Sequence, residues 1–183
     1  MATGEWHDSA ARFGRASRIL HWGAAVLLLW QFLILAGYGL TGGSPLLDRI
    51  ASFGPSHGSV GLMLLALTLP RLIWSLRQRG GRPPLGWLAR AFHAALYAIM
   101  LAIPLLGLLR AYGSGKGWHH WGVQIVPETG TEIPWMIRAA DLAHGELGWA
   151  LLAMIAGHAG MACFHQFWMR DRVLSRMVGP IRD

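Results

Sequence analysis

The chain has 183 residues, of which 54% are apolar and only 14% charged. Soluble domains carry about a quarter charged residues, so this chain lacks the charge to cover a water-facing surface, and a soluble enzyme is excluded. The single cysteine, Cys163, excludes an intramolecular disulfide, a Cys-built iron–sulfur or zinc site, and covalent haem attachment through C-x-x-C-H. Metal chemistry must therefore rest on the nine histidines.

Four apolar runs are long enough to cross a hydrocarbon core, which takes about 20 helical residues. They predict helices at approximately 16–40, 57–77, 85–110 and 141–170. Residues Met1 to Arg18 are polar and no cleavage site follows, so the first run reads as a retained helix and not as a signal peptide. Pro70 and Pro104 fall inside the second and third helices, where neighbouring helices re-satisfy the freed carbonyls and local kinks are expected. Of the connections, only the long one from Arg110 to Asp141 has room for a surface loop or a short interfacial helix. The fold expected is all-α: a single integral membrane domain over 1–183, a four-helix bundle.

The net charge of +7 is explained by topology. Arg12, Arg15 and Arg18 precede the first helix. Arg77, Arg79, Arg82 and Arg90 surround the second connection, and Arg170, Arg172, Arg176 and Arg182 follow the fourth helix. Short cytoplasmic segments carry the Arg and Lys excess, so both termini are expected in the cytoplasm of a multi-pass protein. With the charge accounted for in this way, nucleic acid is not expected as a partner; the lipid bilayer is.

Six histidines fall in the expected helices: His21, His57, His93, His144, His158 and His165. Ionisable groups in membrane helices are expensive and are functional candidates by default. His144 and His158 are fourteen residues apart, hence on one face and about 21 Å apart along the axis. One helix thus offers ligands at two depths, each needing a level partner on a neighbouring helix if two imidazoles are to clamp one haem iron. His57 opens the second helix at the outer side and pairs naturally with His144. His21 lies just inside Arg18 on the cytoplasmic side and pairs with His158. His165 lies on the same face and nearer the apparent depth of His21, but the span from His144 would be about 31 Å, pushing one haem into the headgroups. Bis-histidine ligation leaves no open iron position, so the expected chemistry is one-electron transfer.

Arg71, fourteen residues after His57, stands at the inner level; with Arg18 it is a candidate to bind a haem propionate, the alternative being snorkelling to the interface. His93 repeats the R-x-x-H spacing of Arg18 and His21, which makes it a candidate quinone or proton-handling group, or a packing residue. In the outer loop Lys116, the only lysine, is flanked by His119 and His120 and could form a cationic mouth that steers a small anion. Trp118, Trp121 and Trp135 in the same connection suit an interfacial belt, and Glu128, Glu132 and Asp141 weaken a positive field there.

These residues resemble the four-helix bacterial cytochrome b-561 family, related to the cytochrome b subunits of hydrogenases and formate dehydrogenases. The resemblance is carried by RILHW at Arg18 to Trp22, H-x-x-x-G at His57 to Gly61, R-L-x-W at Arg71 to Trp74 and H-x-x-L-Y at His93 to Tyr97. The His144/His158 pair and the closing run from His165 to Met177 complete it, so that it covers nearly the whole chain. It implies a bacterial inner-membrane protein with two haems b, held by His21, His57, His144 and His158, and electron exchange with membrane quinone. Some relatives look like superoxide oxidases that reduce ubiquinone, with Lys116 and His93 then as candidate catalytic groups. Others suggest a haem-bearing anchor that serves a separate dehydrogenase or hydrogenase subunit, a redox partner protein in place of superoxide.

Overall fold

A computed structural model describes residues 6–81 and 86–178; Arg82, Leu85 and Arg182 of the reading above lie outside the described residues. Four long helices dominate, and all four are long and apolar enough to cross a membrane. Helix α1 spans Arg15–Thr41, α3 His57–Arg77, α4 Trp87–Gly113 and α5 Pro134–Cys163, with the short α2 (Pro45–Ser52) between α1 and α3 and α6 (Val173–Val178) after α5. Both prolines inside helices, Pro70 and Pro104, are passed without a break in α3 or α4.

Local chemistry marks the ends. Gly42, at φ 68°, turns the chain out of α1, its N–H donating to the Tyr38 carbonyl at 2.9 Å; a left-handed residue is the usual helix stop and glycine adopts it without a Cβ penalty. Ser44 accepts from the Leu47 N–H, with Pro45 next in line, and so starts α2. Ser56 likewise starts α3 by accepting from the Ser59 N–H.

Three elements depart from the sequence reading. The first connection, expected to be plain, holds α2, which is tied to α1 by Tyr38 Oη donating to Asp48 at 2.5 Å. The long connection holds no helix but an antiparallel hairpin, β1 (Trp118–His120) with β2 (Val123–Val126). Helix α5 begins at Pro134, not near 141, because proline is pre-organised for a first turn and the polar Arg138 and Asp141 are no obstacle to a helix at the interface. Its last turn, Phe164–Trp168, widens into π geometry.

Side-by-side packing runs α1 on α3, α3 on α4 and α4 on α5, whereas α5 has little direct backbone contact with α1 or α3. The buried core is a small cluster between the helices: Ala24 of α1, Val60 and Leu64 of α3, Met100 of α4 and Leu151 of α5. Val26, Leu29 and Leu33 of α1 and Leu142 of α5 lie exposed on the outside. Such a surface is untenable in water and ordinary in hydrocarbon, where helix association does not depend on hiding apolar groups.

The end that carries both termini is closed by polar ties. Buried Asp8 accepts from the Gly14 N–H at 2.8 Å and from Ser17 Oγ at 2.9 Å, and its own N–H donates to Gln78 at the end of α3. At the other terminus the chain reverses through Arg170 and Arg172, both with left-handed φ, and α6 returns onto α1. There Arg18 donates from Nε to the Met177 carbonyl at 2.9 Å and from Nη2 to that of Val178 at 3.0 Å.

Candidate functional site

Three of the long helices place residues at three common levels, polar at the two ends and apolar between them. On α3, His57, Leu64 and Arg71 follow one another at seven-residue intervals; on α4, His93, Met100 and Gly107 do the same; on α5, His144, Leu151 and His158 repeat it. Seven residues are nearly two turns, about 10.5 Å of rise, so side chains at this interval share a face. The middle member of each set belongs to the apolar core layer. The outer members form two polar levels, one at the hairpin end and one at the termini end.

At the hairpin end the rings of His57 and His144 have centroids 5.7 Å apart. Gln31 of α1 sets its side-chain amide 2.6 Å from His57 Nδ1. Nδ1 of His144 is buried with no hydrogen-bond partner. A cavity of about 320 Å³ opens between the two histidines, lined by Gln31, Gly61, Met100 and Gly148 among others. A Cβ added at Gly61, Gly145 or Gly148 would meet nothing within 4 Å, so these glycines face open space and no neighbouring helix.

At the termini end His21 and His158 have ring centroids 6.3 Å apart. Arg71 donates from Nη2 to His21 Nδ1 at 2.7 Å, and its Cζ lies 5.4 Å from the centroid of the Tyr97 ring. The guanidinium is thus turned inward and does not snorkel to the interface. His93 stands edge-on to His158 with centroids 5.3 Å apart. Its Nδ1 lies 2.6 Å from the Ala89 carbonyl; a carbonyl only accepts, so Nδ1 carries a proton and donates it there.

Two residues from the sequence reading stand elsewhere. Arg18, expected beside Arg71, has its guanidinium turned to the α6 carbonyls. His165, the rival of His158, is paired through Nδ1 with Asp171 at 2.6 Å in the π turn. Gln31 was missed, because an amide on the first apolar run has no periodic signal of its own. So was the position of His120, its ring stacked on Trp118 and tilted against Trp121, its Nδ1 3.5 Å from Ser59 Oγ.

In the loop, Gly115 (φ +71°) and Gly117 (φ +64°) flank Lys116, and a Cβ would come within 2.8 Å of backbone atoms of Thr131 at the first and of Val126 and Glu128 at the second. Only glycine makes this turn, and it leaves Lys116 exposed at its crest. Arg110 is neutralised by Asp141 at 2.6 Å, closing the hairpin ends of α4 and α5.

Two imidazoles bound to opposite faces of one metal, with metal–nitrogen bonds of about 2.0 Å, have ring centres roughly 6 Å apart. Both pairs have that separation, one of them flanks a cavity, and the orphaned Nδ1 of His144 leaves that ring uncommitted. The residues at the hairpin end therefore fit a bis-histidine prosthetic group, and the ring spacing at the termini end agrees with a second. A membrane bundle with histidine pairs of this kind is a membrane cytochrome by class. Sequence comparison gives the family: the pattern of "Prokaryotic cytochrome b561" matches residues 12–180, and the chain belongs to that family, membrane proteins that transfer electrons on haem b. It is similar to cytochrome b561 homolog 1 of Escherichia coli K12, 32% identical over 91% of this chain and 97% of that protein. It is also similar to cytochrome b562 of Cereibacter sphaeroides, 28% identical over 92% of this chain and 96% of that one. A more distant relative, the probable superoxide oxidase CybB of Yersinia pestis, is 24% identical over 87% of this chain and 91% of its own.

Proposed function

We propose that this protein carries two haems b in the bacterial inner membrane, takes electrons from superoxide at the outer side and delivers them to ubiquinone. The observation that carries this is the double pairing: His57 with His144, and His21 with His158, at two levels seven residues either side of Leu64 and Leu151. The basic residues around the termini end put that end in the cytoplasm and the hairpin in the periplasm.

Haem b bound by two histidines supplies a one-electron carrier with no open iron position. The chain's own residues do the rest. His144 and His158, on one helix, keep the two levels in fixed register, and the Leu64–Met100–Leu151 layer excludes water between them. Lys116, held out on its glycine turn, attracts an anion to the hairpin end. Arg71 offers a donor fork for an anionic carboxylate at the inner level. His93, with Nδ1–H committed to Ala89, keeps Nε2 free to take up and pass on a proton when quinone is reduced. The overall balance is two superoxide anions giving one electron each and leaving as dioxygen, while one ubiquinone takes both electrons with two protons and leaves as ubiquinol.

The name of the Yersinia relative supports superoxide as donor. The test is a reduced-minus-oxidised spectrum of the purified protein with haem quantified per chain, then superoxide with and without ubiquinone. Two haems reduced by superoxide and reoxidised by quinone are expected. Two haems inert to superoxide but reduced by a copurifying dehydrogenase would overturn the superoxide assignment and favour an anchor subunit.

A further inference from the structure

Helix α5 ends in a turn that electron transfer does not call on. The π turn Phe164–Trp168 is closed by the Met169 N–H donating to the Phe164 carbonyl at 3.1 Å; such turns are rare and occur often at functional sites. Here the Phe164 and Trp168 rings stand nearly parallel, with centroids 6.4 Å apart, and both are exposed, Trp168 to 80%. The chain then passes through Arg170 and Arg172, both exposed and both left-handed, at φ 57° and 60°. Side chains other than glycine hold that conformation at a cost, where the surroundings enforce it. Asp171 between them is spent on the turn itself. Its carboxylate lies 2.6 Å from His165 Nδ1 and accepts from the Val173 N–H at 3.3 Å, while its own N–H donates to the His165 carbonyl at 3.2 Å. Among the described residues, neither the Arg170 nor the Arg172 guanidinium has a carboxylate partner. The turn thus presents two cations beside an exposed aromatic stack.

We propose that this turn binds one anionic phospholipid, its phosphate held by Arg170 and Arg172 and its glycerol and upper acyl chain laid against the Phe164 and Trp168 rings. Helix α5 with its π turn runs 35 residues, well beyond the roughly 20 that the hydrocarbon core takes, so the turn lies past the core at headgroup depth. Aromatic rings settle at that boundary, and guanidinium forks match phosphate oxygens. Two cations without a carboxylate complement a headgroup of net negative charge, whereas a zwitterionic one would bring its own ammonium towards them. Basic sites at the ends of membrane helices hold acidic headgroups for this reason. An acidic soluble protein would answer the arginines and leave the ring stack without an apolar partner; a lipid answers both. The site depends on α5 spanning the bilayer and not on the haem ligands or the electron donor.

The experiment is native mass spectrometry of the full-length, haem-loaded protein in detergent, titrated with dioleoyl phosphatidylglycerol or dioleoyl phosphatidylcholine, with and without inorganic phosphate. Wild type is compared with Arg170→Gln/Arg172→Gln, with Trp168→Ala, and with Arg77→Gln/Arg79→Gln, which removes the same charge from the end of α3; haem per chain confirms the fold of each. Wild type is expected to retain one phosphatidylglycerol per chain and to prefer it to phosphatidylcholine. Arg170→Gln/Arg172→Gln should weaken that binding about tenfold or more, Trp168→Ala should weaken it several-fold with the charges in place, and Arg77→Gln/Arg79→Gln should leave it unchanged. Trp168→Ala decides the matter if the Arg170/Arg172 variant does not fold. Equal losses in the two double variants would reduce the effect to net charge and overturn the site. Binding of phosphatidylcholine as tight as that of phosphatidylglycerol, or binding unmoved by Trp168→Ala, would overturn it too. Displacement of the lipid by inorganic phosphate would make it a bare anion site, and no retained lipid where polyglutamate binds would give the face to an acidic protein; either result overturns the proposal.

Discussion

Gln31 of α1 reaches across to α3 and sets its amide 2.6 Å from Nδ1 of His57, the ring that faces His144 over the cavity. A ligating imidazole is ordinarily oriented by what its second nitrogen bonds, and removing such a partner costs about 10–100-fold in metal affinity. Gln31→Leu, similar in volume but unable to hydrogen-bond, should therefore weaken haem retention at the hairpin level by that order and spare the other level. Haem titration of the apoprotein, followed by absorbance, measures it; equal retention at both levels would remove Gln31 from the site.

Each α5 histidine belongs to one level, so the two should be separable. His144→Ala is expected to lose the hairpin-end haem alone and His158→Ala the termini-end haem alone, each leaving one haem per chain. His165, bonded to Asp171 in the π turn, should be replaceable by Ala with two haems kept. Pyridine haemochrome quantification reads all three, and loss of a haem in His165→Ala would transfer the ligand role from His158.

Lys116 sits exposed on a turn that two left-handed glycines impose. Steering by an exposed charge acts on association rate and is screened by salt. Lys116→Glu should slow haem reduction by superoxide several-fold to about tenfold at low ionic strength, with the difference shrinking as salt is added. Rapid-mixing kinetics at two salt concentrations would show it, and an unchanged rate at low salt would leave the loop as an interfacial belt.

Asp8 is buried and takes two hydrogen bonds, from the Gly14 N–H and from Ser17 Oγ. Its removal strands both donors, a cost of about 1–3 kcal/mol for each buried group left unpaired. Asp8→Ala should lower the thermal midpoint measurably without changing haem content or spectrum, because the Asp8 ties run to Gly14, Ser17 and Gln78 and not to His21 or His158. A shifted spectrum would mean that this cap reaches the inner site.

His93 keeps Nε2 free while its Nδ1–H is committed to Ala89. His93→Phe should leave reduction of both haems by superoxide unchanged and lower the ubiquinone-dependent turnover by about two to four orders of magnitude, the usual worth of a general acid–base group. Comparing single-turnover haem reduction with steady-state quinol formation separates the two; parallel losses in both would make His93 a packing residue.

Much of this was written in one dimension. Four spans of about 20 apolar residues can only be satisfied as helices in a bilayer, so the bundle and the placing of charge at its ends follow from composition and order alone. The fourteen-residue interval between His144 and His158 was enough to set two levels on one helix face. What the interval could not supply was the level of anything on another helix. That depends on where each helix starts, and α5 starts at Pro134, a turn and more before the apolar run that marks it. The hairpin at Trp118–Val126 was hidden for a similar reason, since seven strand residues with three aromatic or histidine side chains among them carry too short a pattern to separate from loop.

The sequence by itself determined the class of fold, the histidine inventory and the face that His144 and His158 share. Only the tertiary structure decided who stands beside whom: that Gln31 meets His57 and Arg71 meets His21, that Arg18 turns away to the α6 carbonyls, and that His158 and not His165 faces His21. The physical reason is that periodicity fixes angle and rise within one helix, whereas partners across helices depend on relative axial offset. Caps, hairpin and terminal ties set that offset together, and no single segment encodes it.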